Sequence, residues 1–152
     1  MNTQHSHLAQ LNIARMRFAL DDPRMADFVD GLARINALAD ATPGFVWRLQ
    51  SESGNATDIQ AFDDPYLLVN MSVWESSDAL RAYVYRSKHA DFLRRRKEWF
   101  VAMETPMQVL WWVAAGHMPT VSQAKERLEH LTIHGPTPQA FTFRAAFPPP
   151  CL

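Results

Sequence analysis

The chain has 152 residues, 47% of them hydrophobic and 20% charged. At about 100–200 residues per domain, that fits one soluble globular domain over 1–152 and excludes disordered, collagenous and coiled-coil classes. Fifteen Lys+Arg against sixteen Asp+Glu leave a formal charge of -1, so no basic field gathers phosphates and nucleic acid is not an expected partner. Cys151, the one cysteine, excludes a disulfide framework or a thiolate cluster and suits a reducing cytoplasm. The opening MNTQHSHLAQ lacks the pattern of an export signal, and no run approaches the roughly 18 apolar residues of a membrane span. A cytoplasmic protein with no membrane partner is therefore expected, and the sequon at Asn55-Ala56-Thr57 has no secretory route to give it meaning.

Leu8 to Phe18 carries no breaker and reads as a first strand. Asp22 is a helix cap with Pro23 in the first turn, followed by Met25, Phe28, Val29, Leu32, Ile35 and Ala39 at helical spacing until Thr42-Pro43-Gly44. Phe45 to Gln50 predicts a short strand, Ser51 to Asp64 a polar loop, and Tyr66 to Trp74 a strand rich in β-formers. Ser76 or Ser77 caps the next helix, which runs through Leu80, Tyr83 and Val84, has a break near Ser87, and resumes through Phe92, Leu93, Trp99 and Phe100 until Pro106 closes it. Met107 to Ala115 is a fourth strand. Thr120 to Gln123 has capping-box form before a last helix with Val121, Ala124, Leu128 and Leu131 inward and Gly135 as its stop. A Pro-rich tail follows from about 136, with a short extended segment over 140–147.

The order β-α-β-β-α-β with a C-terminal helix is that of a ferredoxin-like α+β sheet. Such a sheet normally keeps one wet face, yet Tyr66 to Trp74 and Met107 to Val113 are apolar at positions of both parities. Two helices cover one face, so the economical cover for the other is a second copy, giving a homodimeric α+β barrel. Alternation sorts the side chains further. Leu67, Val69, Met71 and Val73 share one apolar face, assigned to the helices with Leu11, Ile13, Val109, Trp111 and Val113. Leu68, Asn70, Ser72 and Trp74 share the other with Gln10, Asn12, Gln108, Leu110 and Trp112. An apolar surface with a few amides, a hydroxyl and indole N–H groups suits a pocket for a small hydrophobic or aromatic molecule. The alternative is that these amides pair across a closed dimer interface.

The run Val73-Trp74-Glu75-Ser76-Ser77-Asp78-Ala79-Leu80, followed by Tyr83, Ser87 and His89, resembles the strand-to-helix turn of the antibiotic-biosynthesis-monooxygenase superfamily. KEWF, VLWWVAAGHMPT, RLEHL and the closing HGPTPQAFTFRAAFPP more closely resemble a bacterial domain-of-unknown-function family placed beside those monooxygenases, over nearly the whole chain. The resemblance implies the dimeric barrel but no set reaction. The wider superfamily includes cofactor-free quinol monooxygenases and haem-degrading enzymes. By that resemblance a strand asparagine (Asn12 or Asn70), Trp74 and His89 lie near the ligand. A His89 turned into the pocket would ligate haem iron or serve as a general base; turned away, it is a surface or core histidine. The cofactor is thus none or haem, and no other metal is expected.

Arg94-Arg95-Arg96-Lys97 is a solvated helix face, of which only Arg96 falls on the stripe of His89, Phe92, Leu93 and Phe100 and could clamp a carboxylate. His130 and His134 stand at zinc-compatible spacing without a third ligand and otherwise complement a helix end. His5 and His7 fall in a polar terminus expected to be disordered, and His117 sits in a connector. Two functions remain open. One is a small monooxygenase-like oxidoreductase with His89 as catalytic residue and Asn12, Asn70, Ser72, Trp74, Trp112 and Arg96 around an aromatic or haem-like ligand. The other is a non-catalytic dimer that binds a small hydrophobic molecule.

Overall fold

A computed structural model describes residues 6–50, 59, 62–86, 89–103 and 106–150, apart from the side chains of Arg86, His89 and Phe92. The longest strand, β1 (Ser6–Met16), runs down the middle of the sheet. It takes in His7, which is in register with Val113, so the disorder expected at His7 gives way to paired backbone. His5 lies outside the described residues. β2 (Phe45–Arg48) pairs with β3 (Leu67–Trp74), which pairs with β1. On the other side of β1 stand β4 (Phe100–Val101) and β5 (Gln108–Ala114), and all pairings are antiparallel. The spatial order β2-β3-β1-β5 is the ferredoxin-like order that the chain order predicts.

β4 departs from expectation. Trp99 and Phe100 were expected to continue a helix to Pro106, but the chain divides into α2 (Ser77–Arg86), α3 (His89–Arg94) and α4 (Arg96–Trp99) and then turns extended at Phe100. β1 has 11 residues and β5 only 7, so the far end of β1 has backbone groups that β5 does not reach, and buried groups of that kind must be paired. Phe100 and Val101 come into register with Met16 and Arg15, Arg17 N–H donates to the Trp99 carbonyl at 2.7 Å, and Ile13 N–H to that of Met107 at 2.8 Å.

The helix ends follow local chemistry. Asp22 accepts from Arg24 N–H at 2.8 Å ahead of a 3-10 turn (Pro23–Met25) that leads into α1 (Ala26–Ala41). Gly44, past the end of α1, has φ 88°, and a Cβ there would stand 2.5 Å from Cβ of Ala79. Only glycine lets this corner approach α2. Ser76 Oγ accepts from Ala79 N–H at 3.1 Å. The capping box of Thr120 and Gln123 opens α5 (Val121–His134), and Gly135, at φ 72°, ends it.

Both faces of the sheet are buried, but the layers are exchanged relative to expectation. Ala9, Leu11, Ile13, Val69, Met71, Val73, Val109 and Trp111, each no more than 4% exposed, pack against Ala124, Leu128 and Leu131 of α5. Ile59 and Phe62 add to that layer. At roughly 1.5–3 kcal/mol for each buried leucine, Leu128 and Leu131 hold in place a 14-residue helix that alone would be marginal. The mixed face lies instead under α1, α2 and α4. Its upper cluster is Leu8, Trp74 and Leu110 with Ala39, Leu80 and Tyr83; its lower cluster is Met16 and Leu68 with Met25, Phe28 and Trp99. Strand parity says which residues share a face, not which layer covers it. The double burial is supplied within the chain and does not itself call for a second copy.

The tail belongs to this packing. Phe141 and Leu110 exchange two backbone hydrogen bonds of 2.8 and 2.9 Å, which covers part of the β5 edge. Phe141, Phe143 and Phe147 join the upper cluster. Trp112 Nε1 donates to the Phe147 carbonyl at 2.9 Å, and Arg81 donates to that of Phe143 at 2.8 Å with its guanidinium 4.6 Å from the ring. Among the described residues no helix is long and apolar enough to cross a membrane. Phe141 is 2% exposed, so Phe141→Ala should lower the free energy of unfolding by about 3–5 kcal/mol in urea titration. Phe143→Ala, at a half-buried position, should cost clearly less.

Candidate functional site

The mixed face is covered at both ends and open in the middle. There, Asn12 on β1 is directly opposite Asn70 on β3 and Gln108 on β5, which makes a row of three amides across three strands. Asn12 and Asn70 are exposed and Gln108 half-buried. Adjacent strands lie about 4.7–4.9 Å apart, so the row offers hydrogen-bonding groups at that interval. The α1 stripe is anchored at Phe28 in the lower cluster and Ala39 in the upper one. Leu32 and Ile35, both half-buried, occupy the stretch of the stripe between those anchors.

One step along the strands from the row, on the same face and toward the upper cluster, Gln10 and Ser72 are the buried polar residues of the sheet, at 5% and 6% exposure. Gln10 Nε2 donates to Asn70 Oδ1 and to Ser72 Oγ, each at 2.9 Å, and Trp74 Nε1 donates to the same Ser72 oxygen at 2.8 Å. Trp74 is fully buried, stacked on Tyr83 at 5.1 Å and edge-on to Phe45 at 5.4 Å. It is the aromatic wall behind the row rather than an open ligand platform. Trp112 shares that face, half-buried against Phe141, whereas Trp111 lies on the opposite face beneath α5. Tyr83 donates to the Ile35 carbonyl at 3.3 Å. Burial pushes its phenol well above the ordinary value, so at neutral pH it holds its proton and acts as a donor.

Asn12, Asn70, Ser72 and Trp74 therefore come together, with Trp112 at the edge of the upper cluster. Arg96 does not join them. A stripe shared with His89 requires one continuous helix, and the chain breaks at Arg95 between α3 and α4. Arg96 is exposed on α4 in a shallow concavity of about 400 Å³ with Ala90, Leu93, Arg94 and Lys97. His89 is the first residue of α3, and its side chain lies outside those described. Alternation puts Gln10 and Gln108 on the face of Asn12 without marking them as site residues; the strand register, which sets Gln108 opposite Asn12 and Gln10 opposite Ser72, is what brings them to the site.

A second concavity of about 330 Å³, beside α1, α3 and α4, is lined by Asp27, Asp30, Arg34, Asp91, Arg95 and Trp99. It is an ion-pair cluster: Arg95 bonds Asp27 and Glu98 at 2.8 Å with its guanidinium 4.8 Å from the Trp99 ring. The described histidines do not serve the amide row. His7 is on the opposite parity, His117 lies 3.2 Å from Gln123, His130 lies 3.2 Å from Thr137, and the His130 and His134 rings are 4.5 Å apart. Among the described residues, no three His, Cys, Asp or Glu side chains gather as a metal site. The described side chains thus supply no axial ligand for haem at the row.

Residues 7–152 match the family described as Domain of unknown function (DUF3291). The chain belongs to the DUF3291 family. No curated protein matches it. Among solved structures, SnoaB, a cofactor-independent oxygenase from Streptomyces nogalater, is similar at 20% identity over 76% of this chain and 99% of that one, with a TM-score of 0.48. A candidate antibiotic biosynthesis monooxygenase from Chloroflexus aurantiacus is similar at 14% identity over 76% and 98%, with a TM-score of 0.44. NE2512, a protein of unknown function from Nitrosomonas europaea, is similar at 15% identity over 77% and 98%, with a TM-score of 0.47. The ferredoxin-like architecture of this DUF3291 chain rests on its own strand order and register.

Ser72 accepts from two buried donors, so Ser72→Ala should destabilise the chain by about 1–3 kcal/mol in denaturant titration, because the Trp74 indole N–H loses its acceptor. Asn70→Ala should cost less, because water at the open strip can replace Asn70 Oδ1.

Proposed function

We propose that this protein is a small monooxygenase-like oxidoreductase whose substrate is a flat aromatic molecule carrying hydroxyl or carbonyl oxygens, held on the amide row. The observation that carries this reading is the direct register of Gln108, Asn12 and Asn70 on the open part of a face otherwise sealed by aromatic clusters. Oxygens para to each other on a six-membered ring stand slightly farther apart than one strand spacing, a difference that amide side chains on neighbouring strands take up, so neighbouring amides can bond both. Leu32 and Ile35 of α1 provide an apolar cover for the ring.

The chemistry asked of the chain is modest. A hydroquinone supplies all the electrons that dioxygen takes up: one oxygen atom enters the ring as a hydroxyl while the ring becomes a quinone, and the other leaves as water. Neutral N–H donors from the row orient the ring oxygens and stabilise the negative charge that develops when a phenol loses its proton. His89 is the proton acceptor in this proposal. The second reading, a binding protein without turnover, is favoured by the row's neutrality, since no described titratable side chain belongs to it.

Quenching of tryptophan fluorescence by menadione and oxygen uptake with its reduced form test both readings. The parent should bind menadione, and Asn12→Ala and Asn70→Ala should each weaken binding about tenfold, the cost of one well-made hydrogen bond. Their melting temperatures should stay near that of the parent. His89→Ala should keep binding and lose oxygen uptake above the protein-free rate. Unchanged affinity in both asparagine variants would sink the row as the binding site, and binding by the parent without oxygen uptake would leave the binding-protein reading.

A further inference from the structure

Gln10 stands where the alternation of β1 would accept an apolar side chain. It is buried between Leu110 of β5 and Ser72 of β3, its partners in register. A buried amide costs free energy unless its polar atoms are matched. Both Nε2 hydrogens are used, one on Asn70 Oδ1 and one on Ser72 Oγ, each over 2.9 Å. Ser72 Oγ also accepts from the indole of Trp74 at 2.8 Å, and an indole N–H can only donate. A fully buried donor at one end is thereby connected through Ser72 and Gln10 to an exposed amide at the other.

We propose that Gln10 is the positioning residue of this site: by occupying Asn70 Oδ1 it turns Asn70 Nδ2 outward, so that the row presents an N–H donor there and selects ligands with an acceptor oxygen, a carbonyl or a phenolate. The ligand preference rests on the reading that the amide row binds the ligand; the positioning does not. Gln10 touches no ligand. Its effect passes through Asn70, whose side chain would otherwise rotate and offer donor or acceptor alike. Replacement by glutamate removes the donor, so that Asn70 must give Nδ2 to residue 10 and turn Oδ1 outward, which inverts the polarity of the site.

Nitrogen-15 NMR of the ligand-free protein tests the positioning directly. The side-chain NH₂ of Gln10 should exchange with water far more slowly than that of an exposed glutamine, and the Asn70 NH₂ should exchange freely from one rotamer. In Gln10→Met the Asn70 signals should move to rotamer-averaged positions. Menadione titration then reads the consequence: affinity should fall about five- to tenfold in Gln10→Met and further in Gln10→Glu, at temperatures where both variants are folded. Fast exchange at the Gln10 amide, or Asn70 signals unchanged by Gln10→Met, would overturn the proposal whether or not menadione binds. Equal menadione affinity in the parent and both variants would overturn the selection of acceptor oxygens. A parent that binds no quinone while the NMR result holds would instead count against the proposed function.

Discussion

β1 is hydrogen-bonded along both edges and packed on both faces, and each other element answers one of those demands. β3 takes one edge. β5 takes most of the other, and because it is shorter than β1 the chain supplies β4 and the carbonyls of Trp99 and Met107 to finish the job. α5 covers the apolar face; α1, α2 and α4 cover the mixed one. A strand so enclosed cannot shift by one residue without sending Leu11 and Ile13 to the face of Asn12 and Gln10, so the register is held by burial on both sides.

The opening over the amide row follows from how the mixed face is covered. Two aromatic clusters hold the helices at the ends of the strands, and α1 spans the distance between them. Polar side chains in the gap carry little desolvation penalty because water reaches them, whereas those next along the strands, under the upper cluster, must be matched inside the protein. The division falls between Asn12 and Asn70, which are exposed, and Gln10 and Ser72, which are buried and joined to Trp74. A ligand that displaces water from the row meets an Asn70 already held by the network beside it, which lowers the ordering cost of binding.

Stability and the site share parts. Trp74 belongs to the upper aromatic cluster and to the hydrogen-bond chain that ends at Asn70. The tail braces the same cluster through Phe141, Phe143 and the Phe147 carbonyl. Changes in the tail therefore act on the wall behind the row. That makes the exposed asparagines better probes of binding than the tryptophans, whose loss would confound binding with unfolding.

Much of the architecture is legible in local residue chemistry. Asp22-Pro23, the Thr120 and Gln123 capping box and Gly135 mark helix ends through contacts between residues a few positions apart, and alternation alone puts Asn70, Ser72 and Trp74 on one face and Val69, Met71 and Val73 on the other. Those relations depend on backbone sterics and capping bonds within a short window, which a sequence carries explicitly. Other features required the assembled chain. Phe100 and Val101 left the helix because distant residues of β1 needed partners, and Arg96 lost its place on the stripe with them. α5 covers the apolar face and α1, α2 and α4 the mixed one, the reverse of the expected layers, and Gln108 joined the amide row, with Gln10 next to it along β1, only when three strands were set in register. Each of those outcomes is decided by contacts between segments many residues apart, where local propensity and periodicity say which side chains can share a face but not what that face will meet.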